Sequence, residues 1–178
     1  MTDTERSTPE RRAGERKAGE RQVVVFELGN EKYGTEISTV REIIRMPTVT
    51  QMPGTPEHVR GVINLRGRVI PVVDLRTRFR LPSTDLTENT RVLVVDIRGE
   101  NIGVVVDAVT EVRRISNATV EAPGPTATTE ESVYIEGIAK QEDHLLILLD
   151  LEQALSNQVP SNLSDGQRAD QLSENAAA

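Results

Sequence analysis

RQVVVFELGNEKYGTEISTVREIIR, residues 21–45, recurs without a gap as TRVLVVDIRGENIGVVVDAVTEVRR, residues 90–114. At a constant offset of 69, Gly34 falls on Gly103, Val40 on Val109, Glu42 on Glu111 and Arg45 on Arg114. Apolar positions follow the same rule, Leu28 with Ile97, Ile37 with Val106 and Ile43 with Val112. Further on, RGVINLRGRVIPVVDL (60–75) falls on EGIAKQEDHLLILLDL (136–151) at an offset of 76. Gly61 then matches Gly137, Val62 matches Ile138, and Asp74-Leu75 matches Asp150-Leu151. The change of offset is absorbed by a loop near EAPGPTATTEES, residues 121–132. A duplicated unit of about 70 residues implies two similar subdomains. A unit that small buries too little surface to be stable alone, so the pair is expected to share an apolar seam. Two copies make a duplication rather than a stacked array, which needs three or more.

Strands dominate the reading of each copy. VVVFEL, VINL, VIPVVDL, RVLVVDI, NIGVVVDAV and HLLILLDL are short, β-branched or aliphatic, and bounded by Gly, Pro, Asn or Asp. Their near-continuous apolar character predicts burial on both faces, or closure into small barrels. LGNEKYG and IRGENIG read as hairpin turns. Pro71, inside a run, predicts an edge strand or a bulge. Thr55–Val59 is expected to form one helical turn with Thr55 as its cap and Pro56 at its first position. The body is mainly β and spans residues 21–155. Residues 1–20 are expected to form a disordered tail of mixed charge, and residues 156–178 a second flexible tail.

Composition narrows the chemistry. The chain has 178 residues, a formal net charge of −7 and no cysteine. A disulfide framework, a thiol nucleophile and a cysteine-based zinc site are thereby excluded. No run approaches the roughly 20 apolar residues that cross a bilayer, and the N-terminus carries no apolar leader, so a cytoplasmic protein is expected. His58 and His144 lie far apart without metal-ligand spacing, and neither a nucleophile elbow nor a dinucleotide fingerprint is present. The spacing of Gly61 and Gly67 does not fit a phosphate loop. Asp74, Asp96, Asp107 and Asp150 adjoin apolar runs, where they are read as structural residues of strand ends and turns. No catalytic residue, metal or cofactor is predicted.

The repeat supplies a control for the basic stretch. Residues 60–80 contain Arg60, Arg66, Arg68, Arg76, Arg78 and Arg80 against a single acid, Asp74. In the second copy Asn64-Leu65-Arg66-Gly67 becomes Lys140-Gln141-Glu142-Asp143, so the hairpin itself tolerates the opposite charge. Three readings stand: a protein-binding surface, where arginine forms bidentate bonds; a solvated edge; or a single-stranded nucleic-acid groove. The last normally adds aromatic stacking platforms, and only Phe79 is nearby.

GVINLRGRVIPVVDLR, together with the repeated pattern G-x-x-(V/I)-x-x-V-x-E and the stretch GVVVDAVTEV, closely resembles the CheW family of chemotaxis coupling proteins. The resemblance covers the whole body. It implies two SH3-like, five-stranded β-barrels around a shared core and no catalysis. It also implies two partners, the cytoplasmic tips of methyl-accepting chemoreceptors and the regulatory domain of the histidine kinase CheA, met at membrane-associated arrays. The receptor-binding groove between the barrels would be formed by Ile37, Val40, Val109 and Val112, with Glu42 and Arg66 as polar positions. A free-standing adaptor is expected rather than a detached kinase regulatory domain, and the nucleic-acid-binding barrel is the alternative.

Overall fold

The computed structural model describes residues 19–124 and 133–156. Apart from Gly19, Glu20 and Ser156, the expected tails, and most of the loop that absorbs the change of offset, lie outside the described residues. Glu20 belongs to the first strand and Ser156 to the last helix instead. In chain order the elements are β1 (Glu20–Leu28), β2 (Glu31–Glu36), a 3-10 turn (Ile37–Thr39), β3 (Val40–Arg45), β4 (Val59–Leu65), β5 (Arg68–Asp74) and α1 (Leu75–Arg78). The second copy runs β6 (Arg91–Ile97), β7 (Glu100–Val106), β8 (Ala108–Ser116), a 3-10 turn (Asn117–Thr119), β9 (Val120–Glu121), β10 (Ile135–Lys140), β11 (Leu145–Leu149) and α2 (Leu151–Ser156).

The two copies do not each make a sheet of their own. One sheet has the order β8-β1-β2-β11-β10-β9, and the other β3-β6-β7-β5-β4. The leading hairpin of each copy is therefore inserted into the sheet of the other copy. β1 pairs antiparallel with β8 from Glu20–Ser116 to Glu27–Ala108, and β2 runs parallel to β11 with Gly34 beside Leu148. In the five-stranded sheet β6 pairs antiparallel with β3, and β7 runs parallel to β5 with Gly103 beside Val72. The apolar run 101–109 breaks at Asp107, where the chain leaves one sheet for the other.

Side chains alternate across a strand, and both faces here are covered. In β6, Val92 and Val94 point into the five-stranded barrel while Leu93, Val95 and Ile97 face the seam between the sheets. In β1, Val23 and Val25 fill the six-stranded barrel while Val24, Phe26 and Leu28 face the seam. The seam is the largest core, with sixteen buried residues against six in each barrel interior. Truncating one of its leucines to alanine would cost about 2–5 kcal/mol. The expected shared seam is thus the main source of stability, and the continuous apolar runs are strands buried on two sides.

All four aromatic residues of the chain form one row across this seam. Phe26 stacks on Tyr33 at 6.1 Å, Tyr33 on Phe79 at 6.4 Å, and Phe79 meets Tyr134 at 6.4 Å. Arg78 covers the far end, 4.6 Å above the Tyr134 ring.

Gly61 shows why the repeat keeps its glycines. It marks a register shift in β4 and has φ +143°, and a Cβ there would meet the Thr50 carbonyl oxygen at 2.1 Å. Its mate Gly137 lies at the equivalent shift in β10 and is crossed by β9 in the same way.

One local expectation holds only at the residue itself, and another fails. Pro71 lies in β5, an inner strand between β4 and β7, but the β5–β7 ladder begins at Val72, so at Pro71 the strand is paired on one side alone; the bulge falls at Gly61's side. Its register partner Val62 sends both backbone groups to Thr50, at 2.9 and 2.8 Å. The Val62–Pro71 pair therefore exchanges no hydrogen bonds, and the missing N–H costs that ladder nothing. Thr55–Val59 is a β-turn rather than a helical turn, closed by Val59 N–H to the Pro56 carbonyl at 3.0 Å. Val59 is already paired with Val73 in the β4–β5 ladder, and the Thr55 hydroxyl donates back to the Met52 carbonyl at 3.0 Å.

Candidate functional site

The basic stretch does not form a single patch. Arg60 turns to Asp74 at 3.0 Å, and Asp74 also caps α1 by accepting the Arg76 N–H at 2.9 Å. Arg76 grips Asp107 with two nitrogens and donates to the Pro82 carbonyl at 2.6 Å. Asp107 in turn accepts the Gly29 N–H at 2.7 Å. Arg78 donates to the Tyr134 hydroxyl. Three of the six arginines thus hold the architecture, and Phe79, which the nucleic-acid reading would use as a stacking platform, belongs to the internal aromatic row. Arg80 adjoins α1, away from the hairpin tip.

Arg66 and Arg68 remain at the β4–β5 hairpin tip. Arg66 and Gly67 take φ +52° and +84°, the left-handed pair that a two-residue hairpin needs. Asn64 supports the turn by accepting the Gly67 N–H at 2.9 Å. The same device recurs at Asp96-Ile97-Arg98-Gly99, where Asp96 accepts the Gly99 N–H at 2.8 Å. An arginine in the left-handed position thus serves two hairpins of this fold, where Gly29 serves a third, and the direction of its side chain distinguishes Arg66.

That side chain makes a bidentate ion pair with Glu42, at 2.5 and 3.1 Å, while remaining 74% exposed. Glu42 is on β3 and Arg66 follows β4, the two edges of the five-stranded sheet. The pair is a clasp where the barrel closes. Around it, Arg41, Leu65, Arg68, Ile70, Asp96 and Asn101 line an open, mostly polar depression of about 520 Å³. Arg41 is paired with Asp96 at 2.5 Å. The Arg41 bond and the Gly99 N–H hold the Asp96 carboxyl below its usual pKa. Arg68 is exposed and forms no ion pair among the described residues.

The six predicted site residues fall into two neighbourhoods. A bulge between Val40 and Glu42 turns the side chains of β3 from the seam to the barrel interior. Before it, Val40 packs against the seam core, as does its mate Val109 on β8. Ile37 is exposed, on a turn lying against both β1 and β6 where the two sheets meet. Val112, opposite Val24 on β1, lies on the seam side of the edge strand β8 and is 50% exposed. After the bulge, Glu42 and Arg66 form the clasp.

Ile43 completes the apolar set. It is the mate of Val112, it lies opposite Leu93 on the seam side of the edge strand β3, and it is 42% exposed. The repeat alignment already paired the two residues and was the signal that could have added Ile43 to the site. Both β3 and β8 are edge strands of their sheets, so the duplication places two equivalent edges, each with one bare aliphatic side chain, on either side of the seam.

Two SH3-like β subdomains, joined by exchanged hairpins and carrying exposed apolar edges beside a charged hairpin tip, define a binding scaffold. The CheW-like domain family matches residues 22–159. A chemotaxis protein CheW of Klebsiella aerogenes is 35% identical over 137 residues, covering 77% of this chain and 82% of its own. One from Bacillus subtilis is 33% identical, with 77% and 88% covered. The crystal structure of the scaffolding protein TtCheW from Thermoanaerobacter tengcongensis superposes with a TM-score of 0.71 at 35% identity, covering 86% of this chain and 93% of that one. The chain belongs to the CheW-like family, and its role is that of a non-catalytic chemotaxis adaptor. Among the described residues no helix is long and apolar enough to cross a membrane.

Proposed function

We propose that the chain couples the cytoplasmic tip of a chemoreceptor to the regulatory domain of the histidine kinase CheA, in arrays at the membrane. The receptor helix lies across the rim formed by β3 and β8. Ile37, Val40, Ile43, Val109 and Val112 take its apolar face, in the manner of a helix in a groove. Arg66 and Glu42 fix its register from the barrel mouth. The pair of bare aliphatic side chains on repeat-equivalent edge strands is the observation that carries this reading. Edge strands with exposed apolar residues invite unwanted pairing unless a partner covers them. Arg66 suits its part because an exposed ion pair contributes only about 0–1 kcal/mol, so its fork can engage a partner at little cost to the fold.

A pull-down against a receptor-tip fragment and a CheA regulatory domain tests this, with Arg66→Glu alongside. Wild type is expected to retain both partners, and the variant to lose the receptor fragment while keeping the kinase domain. Binding to neither by a folded protein, or no change in the variant, would sink the proposal.

A further inference from the structure

Each half of the chain is incomplete in a way that the other half repairs. The halves meet at residues 79–90, which join α1 to β6 without a strand or helix of their own, and of which 82–89 are exposed. Without the second half, the five-stranded sheet loses β6 and β7 from between β3 and β5. Without the first half, the six-stranded sheet loses β1 and β2 from between β8 and β11. Neither half retains the neighbours needed to close either barrel. The four ladders between halves are β1–β8, β2–β11, β3–β6 and β5–β7. The Arg76–Asp107 ion pair and the Phe79–Tyr134 contact of the aromatic row also cross the division.

None of these contacts requires that the two halves belong to one molecule. The backbone crosses between them only once, through an exposed and irregular stretch. We propose that the chain has a built-in partner in a second copy of itself, two molecules exchanging halves at residues 82–89. Each half then completes both sheets of the other molecule, and every ladder of the monomer is reproduced. Exchange of this kind needs no new interface, only an opened hinge. A short flexible linker holds its two ends at an effective concentration on the order of millimolar. The monomer therefore prevails in dilute solution, and the exchanged dimer accumulates when concentrated protein is unfolded and refolded. Such a dimer presents every surface of the monomer twice.

The test uses the full chain in two versions with different affinity tags, unfolded together in urea and refolded at ~1 mM and at ~1 µM, on either side of that effective concentration. A dimer carrying both tags is expected at the higher concentration, at least roughly tenfold more abundant than at the lower. It should persist on dilution, because the halves re-sort only by unfolding. A protease site placed between Ser83 and Thr84 gives a second readout. After cleavage of the folded protein, the two pieces should remain one complex of equal parts and unfold in a single transition. Three results each overturn the proposal: monomer alone at every concentration, aggregation without a mixed-tag dimer, or cut pieces that separate and regain strand circular dichroism individually.

Discussion

The two capping helices occupy equivalent places and carry opposite charges. Arg76 of α1 falls on Glu152 of α2 in the repeat, and each ties its helix to the leading hairpin turn of the other sheet. Arg76 does so through Asp107, which accepts the N–H of Gly29. Glu152 does so directly, at 3.1 Å from Arg98, the residue equivalent to Gly29. The environments differ sharply, since Arg76 and Asp107 are 12% and 29% exposed while Arg98 and Glu152 are 69% and 57% exposed. Duplication has preserved the place of the tie and left its chemistry free. The hairpin tips repeat the lesson: Arg66 meets Glu42 in one barrel, whereas in the other Gln141 accepts from Arg113 of β8 at 2.7 Å. What each tie contributes is decided by burial.

The strongest way to break the comparison is at the paired glycines. Gly61→Ala forces a side chain into a positive-φ position against a backbone oxygen, and should cost about 3 kcal/mol or more. Gly137→Ala meets the Val120 side chain at 2.6 Å and the Glu121 backbone oxygen at 3.0 Å, and should cost less because it imposes no positive φ and its backbone contact is looser. Equal midpoints in urea unfolding would show that backbone conformation is not what separates them.

The helix ties come next. Asp107→Ala strands the Arg76 fork and the Gly29 N–H, and should lower stability by about 2–3 kcal/mol. Glu152→Ala should stay within about 0.5 kcal/mol. Acid sharpens the contrast. Burial pulls the Asp107 pKa up, and the bonds from Arg76 and Gly29 with the Arg76 charge pull it further down, leaving it below the usual carboxylate value. Its contribution is therefore complete above about pH 4, the ordinary pKa, and is lost as pH falls through the lower folded value. Asp107→Asn cannot titrate, so its stability deficit relative to wild type should shrink on acidification. An unchanged deficit would remove Asp107 from the acid response.

A similarly small stability effect is expected at the hairpin tip. Arg66→Ala should change the unfolding free energy by about 0–1 kcal/mol. On the proposed function it nonetheless weakens receptor-tip binding, where Glu142→Ala in the second barrel does not. Calorimetric titration of both variants distinguishes a surface that binds from one that merely closes a barrel.

These contrasts also explain what could be read from the sequence. The duplication was legible because matched glycines and apolar positions keep a fixed offset, and the shared seam followed from the size of the unit. The exchange of hairpins was not, since an alignment states which strands are equivalent and is silent on which strands pair. The arginines looked like one cluster because they are close in sequence, while their partners Glu42, Asp107 and Tyr134 lie 24, 31 and 56 residues away. β3 is hard to read as a strand although its exposure alternates strictly, because VREIIR is half charged and lacks the apolar run of its neighbours. Pro71 is tolerated in an inner strand for a geometric reason: its nitrogen points away from β4, toward a side where the ladder with β7 begins only at Val72.

The aromatic row gives the molecule an optical address. With no tryptophan in the chain, near-ultraviolet absorption comes chiefly from Tyr33 and Tyr134, and both stand in the stack that crosses the seam. Near-ultraviolet circular dichroism and tyrosine emission therefore report the packing of the seam around α1, and are nearly blind to the aliphatic barrel interiors. Far-ultraviolet signals follow the strands themselves. Recorded together during unfolding, the two spectra read separate layers of one small protein without any label being attached.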